Sequence, residues 1–160
     1  GVLLYMNMRP AGIASQRDYD AIAQAADLDP YEWADYKLSY VVSASAEDDL
    51  PDSMRDTMER YLTDLAALHS NSVPRYLARC YFNLKDTAQG FAMLEQYVDY
   101  TPSNPETWEN SFRTAMEYDD GSDGFRQGVA ALTQRLSDWN DANLGTIALP
   151  DDVQAYLNKQ

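Results

Sequence analysis

The sequence predicts an all-α fold of about eight antiparallel helices, and three observations carry that prediction. Apolar side chains recur at spacings of three and four in nearly every segment. No segment sustains the period-two alternation of a half-buried strand. Prolines, or clusters of glycine, asparagine, aspartate and serine, interrupt the pattern at roughly helix-length intervals. With 160 residues and 45% hydrophobic side chains the chain can build a packed core, and one domain over 1–160 is the expectation.

Taken in order, Val2 to Met8 is nearly continuously apolar, and Pro10 and Gly12 interrupt it. Ser15 suits the cap of a helix carrying Tyr19, Ile22, Ala23 and Ala26, which Pro30 stops after Asp29. The next helix is expected to begin near Tyr31 and to carry Trp33, Tyr36, Lys37, Tyr40 and Val41, fading in the small and acidic residues 43–49. Pro51 belongs in the first turn of another, where its missing N–H costs nothing. Met54, Met58, Tyr61, Leu62, Leu65 and Leu68 give that helix a clean amphipathic stripe, ending by Ser70 and Asn71.

The stretch from Pro74 to Trp108 reads as a helix-turn-helix unit. Leu77, Ala78, Tyr81 and Phe82 share one face, Phe91, Leu94, Tyr97 and Val98 another, with Leu84 to Asp86 as the break. Pro102 and Pro105 close the second helix and place the next. Trp108, Phe112, Ala115 and Met116 form a further apolar face, ended by the turn-favouring DDGSDG of Asp119 to Gly124. Phe125, Val129, Leu132 and Leu136 continue beyond it. Asn140, Asp141, Asn143 and Gly145 predict a loop from Trp139 to Thr146. Pro150, Asp151 and Asp152 open a last helix with Val153, Tyr156 and Leu157, its acidic first turn suiting the positive helix end.

Composition narrows the function. Twenty-six acidic against twelve basic side chains give a net charge of −14, which repels phosphate backbones and anionic headgroups, so nucleic acid is not an expected partner. The longest apolar run, Val2 to Tyr5, falls far short of the ~20 residues that span a bilayer, so no direct membrane insertion by this piece is expected. The abrupt apolar start without methionine reads as a piece of a longer protein. Cys80 is the single cysteine, reads as a buried inert thiol, and pairs with nothing internally.

No catalytic, cofactor or metal constellation is expected either. DDGSDG resembles a calcium loop superficially, but Gly121 occupies a ligand place and Ala130 stands where the closing glutamate belongs. His69, the only histidine, cannot form a zinc site with Cys80 alone, and no orienting acid marks it for a Ser/His pairing. Carboxylates are so numerous that a pair at glycosidase-like separation would arise by chance. Twelve tyrosines and three tryptophans could stack on sugars, but most fall on apolar helix faces.

A weak internal repeat runs through these helices. Asp29-Pro30-Tyr31-Glu32-Trp33 matches Asn104-Pro105-Glu106-Thr107-Trp108, and Gln89-Gly90-Phe91-Ala92-Met93-Leu94 matches Gln127-Gly128-Val129-Ala130-Ala131-Leu132 at an offset of 38 residues. A tetratricopeptide unit spans ~34 residues with W-x2-L-G-x2-Y, then A-x3-F, then P. In the central stretch Tyr81 takes the tyrosine place, Gly90 the small-residue place, Leu94 the large apolar place and Pro102 the terminal proline. Pro74 departs from the usual tryptophan. The chain thus resembles a tetratricopeptide-like domain, which implies a right-handed array of helical hairpins. Ala25 to Val42 and Gly90 to Trp108 are also similar to the soluble tail of bacterial O-antigen ligase or polysaccharide-polymerase-like membrane proteins. That resemblance implies an extracytoplasmic domain whose glycan chemistry belongs to a membrane part, against the alternative of a cytoplasmic scaffold.

In tetratricopeptide-like arrays the first helix of each unit lines a concave groove. The resemblance places Arg75, Arg79, Asn83, Glu109 and Arg113 on that lining, where the arginines could hold an acidic peptide by charge-assisted hydrogen bonds. The alternative is that each arginine pairs with local carboxylates. The expected function is a non-enzymatic interaction domain for a protein or peptide, accessory to cell-surface polysaccharide assembly, with glycan binding as the alternative.

Overall fold

A computed structural model describes residues 16–68, 70, 72–145 and 147–160. The apolar stretch at 2–8, the Ser15 cap, His69, Asn71 and Thr146 lie outside the described residues. Among these there are eight α-helices and no strand: α1 Gln16–Leu28, α2 Trp33–Ala44, α3 Asp52–Ala66, α4 Val73–Asn83, α5 Thr87–Tyr100, α6 Pro105–Tyr118, α7 Asp123–Ala142 and α8 Asp151–Asn158. No described helix is long and apolar enough to cross a membrane. The all-α expectation holds.

The chain gathers into two compact units, Gly1–His69 and Ser70–Gln160, where the sequence set one domain as its expectation. Short helices that touch near neighbours in sequence divide readily in this way.

In the first unit α2 packs against both α1 and α3. Tyr19, Tyr40 and Tyr61, one from each helix, stand edge to face with ring centroids 5.1 and 5.2 Å apart. The Tyr19 hydroxyl donates to Glu47 at 3.2 Å, and burial together with that carboxylate pushes its phenol well above the usual range. The Lys37 ammonium sits 4.9 Å from the centroids of both the Trp33 and Tyr61 rings and 2.7 Å from Asp64. The second helix starts at Trp33 rather than Tyr31 because the Asp29 carboxylate accepts the backbone N–H groups of Tyr31 and Glu32 at 2.9 and 3.0 Å. This Asx turn holds both residues outside the helix and keeps the Asp29 carboxyl below its ordinary range.

In the second unit α4 and α5 form a hairpin closed by three residues. The Lys85 N–H donates to Phe82 O and the Asp86 N–H to Tyr81 O, a Schellman arrangement that puts Lys85 in the left-handed region at φ 63°. Asp86 then caps α5 by accepting from the Gln89 N–H. Gly90 in α5 meets the Phe82 ring closely enough that a Cβ there would lie 2.3 Å from it. Phe82, Phe91, Tyr118 and Phe125 pack as one aromatic cluster with centroids 4.9 to 5.6 Å apart. The third helix of the unit, α6, lies against α4 and α5, α7 against α5 and α6, and α8 against α6. Trp108 is buried at 1% exposure, and its indole N–H donates to Pro102 O at 2.7 Å, tying the α5–α6 turn to the core.

One predicted boundary is corrected. Trp139 to Ala142 is helical, not loop, because α7 runs on to Ala142 before Leu144 turns the chain at φ 63°. Asn140, read as a loop residue, clamps the returning chain instead. Its side chain donates to Ile147 O and accepts from the Ile147 N–H, each at 3.0 Å.

Candidate functional site

The candidate residues sit on two helices that pack together. Arg75, Arg79 and Asn83 follow at four-residue steps along α4, and Glu109 and Arg113 are likewise four apart on α6. A four-residue step keeps side chains on one helix face.

That face is a ladder of ion pairs. The Arg79 guanidinium reaches Glu117 on α6 at 2.5 Å. Arg113 donates to Glu109 at 2.9 Å within α6 and to both carboxylate oxygens of Asp152 on α8, at 2.7 and 3.1 Å. The Glu117 hydrogen bond holds the Arg79 proton more firmly, and Asp152, then Glu109, do the same for Arg113. In turn Arg113 keeps the Asp152 carboxyl below its ordinary value. Asn83 lies beside Tyr118, whose phenol is raised by burial and then by the Glu117 charge. A parallel link joins α7 to α5, where Arg135 meets Asp99 at 2.6 Å and Glu95 at 3.5 Å.

Two of the three proposed groove arginines therefore carry intramolecular carboxylate partners, the alternative weighed from the sequence. Arg75 differs. It forms no hydrogen bond or ion pair with any described residue, and its Nε is buried without an acceptor. The Arg79 Nε is likewise buried and unpartnered, since Glu117 takes only the terminal nitrogen.

Sequence reasoning passed over Glu117 and Asp152. Their signal was periodic: Arg79 and Glu117 are 38 residues apart, Arg113 and Asp152 39, close to the offset of the Gln-Gly repeat. A cation followed at the repeat spacing by a carboxylate marks the contact of α4 with α6 and of α6 with α8.

Elsewhere in this unit Ser72, Tyr97, Thr101, Asn104, Glu106, Thr107 and Asn110 line a cleft of about 250 Å³. In the DDGSDG turn the oxygens serve the backbone and neighbouring side chains. Asp119 accepts from the Gly121 N–H and the Tyr156 hydroxyl, Asp120 from the Ser122 N–H, and Asp123 pairs with Arg126. Among the described residues no three His, Cys, Asp or Glu side chains converge as a metal group would require. Comparisons with protein-family models, with curated proteins and with solved structures found no match.

Proposed function

We propose that this chain is a non-enzymatic helical-repeat domain that binds a protein or peptide partner. The observation that supports the reading is the stacking of α4, α6 and α8 through two ion pairs of the same kind, 38 and 39 residues apart, with α5 and α7 packed alongside. Successive hairpins stacked in one register make extended surfaces suited to peptides. The tetratricopeptide-like register supports the same reading, with Gly90 and Gly128 each set against a ring of the preceding apolar layer.

A peptide-array screen run beside a glycan array tests it. Saturable binding to peptides is expected. Saturable binding to glycans with none to peptides would reverse the assignment in favour of a glycan module, a reading favoured by the hydroxyl and amide side chains around the Tyr97 cleft. Placement on the extracytoplasmic face of a bacterial polysaccharide-assembly protein rests on the two resembling stretches alone. A gene whose upstream sequence encodes about ten apolar spans of ~20 residues is the outcome expected from it, and upstream soluble repeats would sink it.

A further inference from the structure

We propose that the turn between α1 and α2 is a docking surface for a short amphipathic segment of a partner protein that carries apolar side chains beside lysine or arginine. The proposal rests on the interaction reading above and places the contact away from the arginine ladder. Leu28 is 74% exposed and Tyr31 91%, and with Pro30, Ala21 and Ala25 they line a cleft of about 620 Å³. Large apolar side chains left in water around a concavity mark a place of contact. The turn itself does not need them. Asp29-Pro30-Tyr31-Glu32-Trp33 and Asn104-Pro105-Glu106-Thr107-Trp108 share one backbone bond, in which the first side chain accepts the N–H two positions on, from Tyr31 at 2.9 Å and from Glu106 at 3.0 Å. Where the first turn has Leu28 and Tyr31, the second has Ser103 and Glu106. The same hydrogen bond therefore forms with polar side chains at both places.

Charge chooses the occupant. Residues 18–36 carry six carboxylates and no lysine or arginine. Asp29 lines the cleft, and neither it nor Glu32 nor Asp35 forms an ion pair with a described residue. The three are crowded together: the hydrogen bond to Asp35, then desolvation and the charges of Asp35 and Asp29, raise the Glu32 carboxyl above its ordinary value. Lys37, the nearest cation in the sequence after this turn, is held by Asp64 and by the Trp33 and Tyr61 rings. A cation brought from outside relieves that crowding and gains charge-assisted hydrogen bonds. An apolar side chain beside it fills the cleft between Leu28 and Tyr31, and tyrosine is among the residues enriched at such contacts. A second copy of this chain, at −14, would bring further carboxylates to an acidic rim, and an anionic membrane its phosphates.

Fluorescence anisotropy of a fluorescein-labelled peptide built on the repeat Lys-Leu-Ala-Lys, with the full chain in moderate salt, tests this. Saturable binding is expected, weakened about tenfold by Leu28→Ser and by Tyr31→Ser, which leave the charge untouched, and about threefold by Glu32→Gln. Tyr100→Ser, which removes another exposed tyrosine, and Asp138→Asn, which removes a carboxylate on α7, should stay within about twofold of wild type. Should Leu28→Ser lose its helical circular dichroism, Tyr31→Ser decides. Wild-type affinity in Tyr31→Ser, equal binding of a Lys-Ser-Ala-Lys peptide, or no binding by the wild-type chain would overturn the docking surface, the first two in favour of diffuse attraction to negative charge. Tighter peptide binding by Leu4→Asp would put the chain's own apolar start in the cleft, and self-association in sedimentation that Tyr31→Ser abolishes would put a second copy there; either overturns the external partner. Array binding to other peptides that Leu28→Ser and Tyr31→Ser leave unchanged would remove this surface yet leave the interaction reading standing, whereas an array without any peptide binding removes both.

Discussion

A Cβ on Gly90 would stand 2.3 Å from the Phe82 ring, and that ring cannot step aside because Phe91, Tyr118 and Phe125 pack around it. Gly90→Leu is therefore expected to destabilise by about 1 to 3 kcal/mol in urea unfolding, and wild-type stability would refute this close approach. Gly124 has nothing within 4 Å of its would-be Cβ and lies in the first turn of α7, so Gly124→Ala should be neutral or add up to ~1 kcal/mol. Lys85 offers the reverse case. Its φ of 63° strains any L side chain, and Lys85→Gly is expected to raise stability by about 0.5 to 1 kcal/mol, read as an upward shift of the thermal midpoint. The glycine that usually marks such a helix end is absent at both Lys85 and Leu144, which hid these two left-handed caps from sequence reasoning.

Among the elements, α8 shows most plainly how charge joins one helix to the next. It buries only Val153 fully and is otherwise held by Arg113–Asp152 and by the Tyr156 hydroxyl on Asp119. Since Arg113 lowers the Asp152 carboxyl below its ordinary 3.8, this link is fully present above that pH and is lost as pH falls through the depressed value. Amide protection in 151–158, relative to the intrinsic rate at each pH, is thus expected to fall below about pH 4 before the rest of the unit unfolds, and Asp152→Asn should show the same loss of protection at neutral pH. Unchanged protection in that variant would mean Val153 packing alone holds the helix. Helix positions were legible in the sequence wherever an apolar stripe met a break, as at Leu84 to Asp86, Pro102 to Pro105 and Asp119 to Gly124, and in each of these the structure adds a cap, Asp86, Asn104 and Ser122, whose side chains all accept from the first turn. They were not legible where polar residues do tertiary work. Asn140 and Asp141 look like loop yet are helical, and only the folded chain reveals that the Asn140 amide grips Ile147. The arginines were legible as a cluster; which of them are neutralised depends on carboxylates brought in from another helix.

On the scale of the whole molecule, residues 70–160 gather their own aromatic cluster and their own ladder, so a fragment of that span is expected to fold alone with cooperative unfolding. A random-coil circular dichroism spectrum would refute it. The net charge of −14 repels itself, and moderate salt should first raise the midpoint of the full chain by screening that repulsion. The ladder responds to salt in the opposite sense, and there its geometry acquires a mechanical meaning. Arg79–Glu117 and Arg113–Asp152 tie α4 to α6 and α6 to α8 across exposed surface, like stays along one side of a stack. Screening slackens the stays without touching the apolar layers between the helices, so the bending stiffness of this stack becomes a property that ionic strength can set.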